Sequence, residues 1–261
     1  MWYGFDKSLF TRRIIVKVII SPAKNMRVIP KEDLTLTNPK YIKQAKYLIS
    51  ILKEYSPFEL ESLMGINPKL AMGTFVDFQS WSEKKHETPA LLAYHGLQYM
   101  NVAPDTFSRE DFDFAGETVR ILSGLYGMVK ASDKVYPYRL EMQCKLDISG
   151  KNLYGFWGDT LYKELFQSQE IIINLASKEY SSVIEPYLLP FDRMITCDFK
   201  VMKGGKLRTL ATEAKMARGQ MVRYIIKNRI NNPEDLKGFS WNDYYFETLE
   251  SMENRYTFIK N

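Results

Sequence analysis

The chain has 261 residues, 45% of them apolar and 26% charged, with a formal net charge of +5. That length fits one large domain or two small ones, and the composition can fill a core. The charge excess does not demand a polyanionic partner but fits one where it is clustered. Cys144 and Cys197 stand far apart with no CxxC pair, which argues against a disulfide framework or zinc ribbon and for a reducing, cytoplasmic setting.

Residues 1–13 carry Trp2, Tyr3 and Phe5 but lack the apolar centre of a signal peptide. They are read as an N-terminal extension without an assigned role. Residues 14–261 are read as one domain, because no repeat, low-complexity tract or long linker interrupts them. Ile14–Ile20 is the longest apolar run and predicts a buried strand; it falls far short of the roughly 20 residues a membrane helix needs. Pro39–Tyr55 predicts a long helix. Ser56-Pro57-Phe58-Glu59 is a capping-box start with proline at the first helical position, and Ser108-Arg109-Glu110-Asp111 starts another helix in the same style. Val119–Leu122 and Ile171–Leu175 read as strands, with a helix over Leu153–Phe166 between them. Met194–Met202 and Lys206–Leu210 form an expected hairpin around Gly204-Gly205. A helix over Thr212–Arg229 and a last strand pair, Tyr244–Phe246 with Tyr256–Ile259, complete the pattern. Strands interleaved with helices plus a hairpin give an α+β (mixed α/β) fold with a mixed sheet and surrounding helices.

Three features carry candidate chemistry. Within a helical pair expected at about 56–80, Gly65, Ile66, Asn67, Pro68, Lys69 and Ala71 fall in register with a helix-hairpin-helix. Free amides at the start of its second helix would hold a phosphate without reading base sequence. Asn67 stands where that motif prefers glycine, an expected left-handed position. In Thr212–Arg229 an apolar face is backed by Lys215, Arg218, Arg223, Lys227 and Arg229, with Glu213 the only acid. A helix of one sign repels itself unless something anionic neutralises it. Third, Ser21-Pro22-Ala23-Lys24 directly follows the first strand, where ligands of α/β proteins commonly sit. Its Ser-x-x-Lys spacing fits serine acyl-enzymes, but the partner SDN and KTG elements are missing. No dinucleotide, P-loop or nucleophile-elbow pattern occurs. His86 and His95 share no ligand spacing with other donors, so neither a metal nor a cofactor is expected.

A set of collinear motifs extends over about residues 16–261. They are Ser21–Lys24, Phe107-Ser108 with Asp111–Ala115, Arg120–Gly127, Pro137–Met142, Phe156–Asp159, Asn174–Ser177 with Glu179-Tyr180, and Ala217–Gly219 with Asn228-Arg229. In these the chain resembles the YaaA family. The resemblance implies a cytoplasmic protein of the hydrogen-peroxide response that binds DNA through a helix-hairpin-helix and a basic surface, limiting iron-driven oxidative damage. Where many relatives carry Lys-Gly-Asp-Val-Tyr, this chain has His95-Gly96-Leu97-Gln98-Tyr99, and Lys130-Ala131 replaces the usual Arg-Pro. The expected partner is double-stranded or structured DNA. Its phosphates would be held by the hairpin residues Gly65, Ile66, Asn67 and Lys69, and by a cleft lined with Lys24, Arg139, Lys215, Arg218 and Arg223. The rival is an enzyme acting on a nucleotide or nucleic acid through the Ser21–Lys24 loop with Arg139, Glu141 or Asp159.

Overall fold

A computed structural model describes residues 16–31, 34–85, 87–167 and 170–260. The extension 1–13, the first two residues of the expected Ile14–Ile20 strand, and His86 lie outside the described residues.

The main sheet is built from β1 (Val16–Ile20), β2 (Val119–Ser123), β3 (Gly127–Lys130), β4 (Ile171–Leu175), β5 (Met194–Lys203), β6 (Lys206–Arg208), β7 (Tyr244–Phe246) and β8 (Arg255–Lys260). Their order is β7-β8-β5-β4-β1-β2-β3, with β6 added to β5. The five inner strands run parallel, and the outer pairs β2–β3, β5–β6 and β7–β8 are antiparallel. The mixed sheet expected from the sequence is therefore present. Every residue of β4 is buried, as its unbroken apolar run requires of a strand covered on both faces.

The chain leaves β1 to build β2 and β3 on one side, then returns to place β4 on the other. This reversal makes a crevice outside the carboxyl ends of β1 and β4, the position where ligands bind in open parallel sheets.

The helices that matter for the site are α1 (Ile42–Leu52), α2 (Pro57–Met64), α3 (Pro68–Ser80), α4 (Leu97–Val102), α5 (Arg109–Thr118) and α6 (Ala211–Lys227). Both expected capping boxes form: Ser56 with Glu59 starts α2, and Ser108 with Asp111 starts α5. Each cap is worth about 1 kcal/mol. The helix expected over Pro39–Tyr55 is shorter, since only Ile42–Leu52 is helical. The single helix expected over Leu153–Phe166 is two, Leu153–Trp157 and Thr160–Leu165. Gly158, at φ 49° and ψ −135°, breaks it in a conformation that side-chain-bearing residues enter poorly.

Glycines also set the packing beneath the crevice. A Cβ on Gly127, at φ +68°, would lie 2.6 Å from the Trp157 ring, and one on Gly124 would lie 2.5 Å from the Leu140 carbonyl oxygen. The Trp157 indole N–H donates to the Gly124 carbonyl at 3.0 Å. The motifs Arg120–Gly127, Pro137–Met142 and Phe156–Asp159 thus lock into one floor, and that floor fixes the backbone carrying Arg139 and Glu141. No helix among the described residues is long and apolar enough to cross a membrane.

Candidate functional site

The crevice at the ends of β1 and β4 is a cleft of about 300 Å³. The loop after β1 supplies Ser21 and Lys24, the loop after β4 supplies Ser177 and Glu179, and Pro137–Met142 supplies Arg139 and Glu141. His95–Tyr99 and α6, through Lys215 and Arg218, complete the lining.

Backbone turns are tied before any charge is placed. Asn174 accepts from the Ala176 N–H at 2.9 Å and donates to the Thr196 hydroxyl at 3.2 Å, shaping the exit from β4. The Ser177 N–H then donates to Ser21 Oγ at 2.8 Å, and Ser21 Oγ donates to Ser177 Oγ at 3.1 Å. The Tyr99 hydroxyl donates to the Ser21 carbonyl at 2.8 Å. Behind them Tyr138 shares hydrogen bonds with Tyr94 (2.8 Å) and Ser123 (2.6 Å), and burial pushes its phenol up to about 12.

Charges are layered on this frame. Glu141 accepts from Lys24 at 2.8 Å and from Arg139 at 3.2 Å. The Lys24 ammonium is exposed, whereas Arg139 and Glu141 are largely covered. Burial raises the Glu179 carboxyl above the usual range, and neighbouring Glu141 adds to this, against the Gln143 N–H and Lys24. Burial likewise disfavours the charge of Arg218, with Asp198 opposing that effect. The Nε atoms of Arg139 and Arg218 are buried without an acceptor among the described residues. Such donors cost free energy until an acceptor reaches them.

Lys24, Arg139, Lys215 and Arg218 all line this one cleft. Arg223 does not. Its guanidinium donates to the carbonyls of Val102 (3.1 Å) and Ala103 (3.3 Å) and to the Thr106 hydroxyl (2.8 Å), and lies over the Phe107 ring. It is a cationic cap on the carboxyl end of α4. Lys227 and Arg229 are also engaged internally, both pairing with Asp111 of α5. Burial would raise that carboxyl, but the two cations and the Ser108 N–H hold it down to about 2. The carboxyl half of the one-signed helix is thus neutralised from within the fold, and only its amino half presents free charge to the cleft.

At Gly65-Ile66 the chain turns between α2 and α3, with Gly65 left-handed at φ 60°. Asn67 is not left-handed: at φ −75° it is the N-cap of α3, and its side chain accepts the Leu70 N–H at 2.9 Å. Pro68 has no N–H and the Ala71 N–H is bonded to the Asn67 carbonyl, which leaves Lys69 as the first-turn amide facing outward. The start of α3 is largely self-capped and offers less to a phosphate than the sequence pattern suggested. The hairpin residues and the cleft residues come from separate parts of the chain, and no described contact joins them.

Ser177, Glu179, Tyr138 and Gln98 line the cleft without having been singled out as site residues. The signal was the strand run Ile171–Leu175, whose carboxyl end delivers Ser177 and Glu179 by the same rule that drew attention to Ser21. The departure His95-Gly96-Leu97-Gln98-Tyr99 forms a cleft wall, so its changes face the ligand space, whereas Lys130-Ala131 lies away from it. Ser21 and Lys24 are not joined to each other by any described hydrogen bond: Lys24 bonds to Glu141 and Ser21 to Ser177. Burial pushes the Cys144 and Cys197 thiols up to about 11 and about 12, so neither is a ready thiolate. Among the described residues no group of three His, Cys, Asp or Glu side chains is placed to hold a metal ion.

A family model described as "Peroxide stress protein YaaA" matches residues 16–249. A UPF0246 protein of Clostridioides difficile is 43% identical over 244 residues, covering 93% of this chain and 99% of that protein. A UPF0246 protein of Ligilactobacillus salivarius is 42% identical over 248 residues, covering 94% of this chain and 100% of its own length. Another, from Lactiplantibacillus plantarum, is 41% identical over 245 residues, covering 94% and 99%.

Proposed function

This chain belongs to the peroxide stress protein YaaA family, and we propose that it acts in the peroxide response by binding DNA, with the backbone held chiefly in the cleft at the ends of β1 and β4. One observation carries the reading. Arg139 and Arg218 line the same cleft, and the Nε of each is buried without an acceptor among the described residues. Arginine forks suit phosphate oxygens, and two fixed guanidinium groups with Lys24 and Lys215 make an anion site.

The cleft's volume of about 300 Å³ suits one nucleotide-sized group rather than a duplex. In this reading the phosphate entering it belongs to an end, nick or distorted stretch, so binding follows DNA structure more than sequence. Lys69 and the Gly65–Asn67 turn add a secondary backbone contact. Occupied DNA is then shielded from iron-driven oxidative damage.

Fluorescence anisotropy with labelled DNA across a salt series tests this. Log K should fall linearly with log salt, by roughly 0.9 for each neutralised phosphate on duplex DNA. Arg139→Gln and Arg218→Gln should each weaken binding and flatten the slope, and scrambling the sequence should change little. Salt-insensitive binding, or sharp preference for one sequence, would contradict the reading.

A second reading, an enzyme acting on a nucleotide, is favoured by the raised carboxyl of Glu179 beside cleft cations. A carboxyl whose hold on its proton is strengthened by burial is suited to proton transfer. Incubation with nucleotides and oligonucleotides, followed by product analysis for the parent and Glu179→Gln, separates this reading from simple binding.

A further inference from the structure

The β5–β6 hairpin carries cations that the fold itself leaves unmatched. β4 accompanies β5 only as far as Thr196, and β8 only as far as Val201. β5 continues to Lys203, so it extends roughly 20 Å past its last β4 partner at about 3.3 Å per residue. Because β5 runs parallel to β1 and β4, this overhang leaves the sheet at the edge where the cleft opens.

Gly204 and Gly205, at φ +59° and +72°, close a two-residue turn of the kind that matches strand twist. The register sets Lys203 opposite Lys206 and Val201 opposite Arg208. Residues paired in this way point to one side, so Lys203, Lys206 and Arg208 share a ribbon face. Alternation along β5 puts Phe199 and Val201 on that same side. Phe199 packs on Phe239 (6.1 Å between centroids), which packs on Tyr224 of α6 (5.6 Å). The three cations therefore lie on the side of the sheet covered by α6, the helix that brings Lys215 and Arg218 to the cleft.

The base of the strand is charge-matched. Asp198 pairs with Arg255 at 2.5 Å, and Lys200 with Glu250 at 3.9 Å. Beyond Val201 the pattern changes. Lys203, Lys206 and Arg208 are exposed, and no described ion pair or hydrogen bond engages their side chains; Glu213, which shares a surface pocket with Lys203, pairs with Lys260 at 3.5 Å. Like charges directly opposite each other destabilise a hairpin. An anionic partner removes that repulsion, and a two-stranded ribbon fits the major groove while its cations reach the phosphates.

We infer that this ribbon is a duplex-DNA contact, extending the cleft's cationic surface onto the paired DNA beside the nucleotide that the cleft holds. The inference rests on the DNA-binding reading above. Its competitor is an edge strand kept from self-association by lysines.

The triple variant Lys203→Gln/Lys206→Gln/Arg208→Gln, compared with the full-length parent on a short fluorescein-labelled duplex over a salt series, decides between them. The slope of log K against log salt should fall by up to about 2.7, the value for three lost phosphate contacts. Affinity near 0.1 M salt should drop at least about tenfold, as even two lost contacts would cause. The melting temperature should hold or rise, and Lys203→Arg/Lys206→Arg should keep the parental slope. Parental affinity and slope in the glutamine variant, with only increased aggregation, would overturn the ribbon contact and leave the cleft reading standing. A parent that does not bind duplex DNA would overturn both.

Discussion

Gly219 sits one residue beyond Arg218 on α6, where that helix crosses α4. A Cβ there would lie 2.1 Å from the Gln98 carbonyl oxygen and 2.8 Å from the Asn101 Cβ. Ordinary contact begins near 3.4 Å, so Gly219→Ala forces the two helices apart by about 1 Å or more. The obstacle is backbone, which cannot step aside as a flexible side chain would. Over-packing of this kind costs about 1–3 kcal/mol or more. Helix propensity alone favours alanine by about 1 kcal/mol, so the two effects have opposite signs. We expect a net loss of about 2 kcal/mol, or roughly 4–8 °C in melting temperature for a chain of this size. Because Gln98 and Arg218 both line the cleft, DNA affinity should fall as well. Circular dichroism melts and urea titration of parent and variant measure the first effect, and anisotropy the second. A variant that melts at or above the parental temperature would show that the helices do not cross this closely.

Other outcomes follow from the charge and thiol environments. Asp111, held at about 2 against an ordinary 3.8, stabilises the fold fully above about pH 4 and loses that contribution as pH falls through about 2. Urea titration between those limits should show a loss of up to about 2 kcal/mol, and Asp111→Asn should flatten this limb while lowering stability at neutral pH. Cys144 and Cys197, buried and held neutral, should resist iodoacetamide and hydrogen peroxide in the native protein and react once it is denatured. Mass spectrometry reads this, and rapid native alkylation would contradict it. Arg218→Glu should weaken DNA binding more than Lys69→Glu, because the amino end of α3 is largely self-capped whereas the Arg218 Nε is unmatched. The reverse ranking in anisotropy would move the main contact to the α2–α3 turn.

Local signals in the sequence translated well into structure. Ser56 and Ser108 begin helices because a hydroxyl and a carboxylate three residues later satisfy one another's backbone donors, which needs no tertiary partner. Gly204-Gly205 turns a hairpin for an equally local reason. The break at Gly158 was visible as a glycine but was overridden by the surrounding helical pattern. The site was legible only in pieces. Lys215 and Arg218 could be placed on a helix face, but so could Arg223, Lys227 and Arg229. What separates them is which neighbours arrive: the α4 carboxyl end for Arg223, and Asp111 for the other two. Asn67 was misjudged in a similar way, since its side chain caps α3 instead of the residue taking a left-handed turn. The partners of Arg223 and Lys227 lie 121 and 116 residues away in sequence, and only the tertiary fold brings them close.

A crystal structure of the protein with a short oligonucleotide tests the central claim most directly. The account predicts a backbone phosphate in the cleft between β1 and β4, within hydrogen-bond distance of Arg139 and Arg218, with Lys24 and Lys215 at its rim. Well-ordered DNA bound elsewhere on the surface, with the Arg139 and Arg218 guanidinium groups untouched, would contradict it.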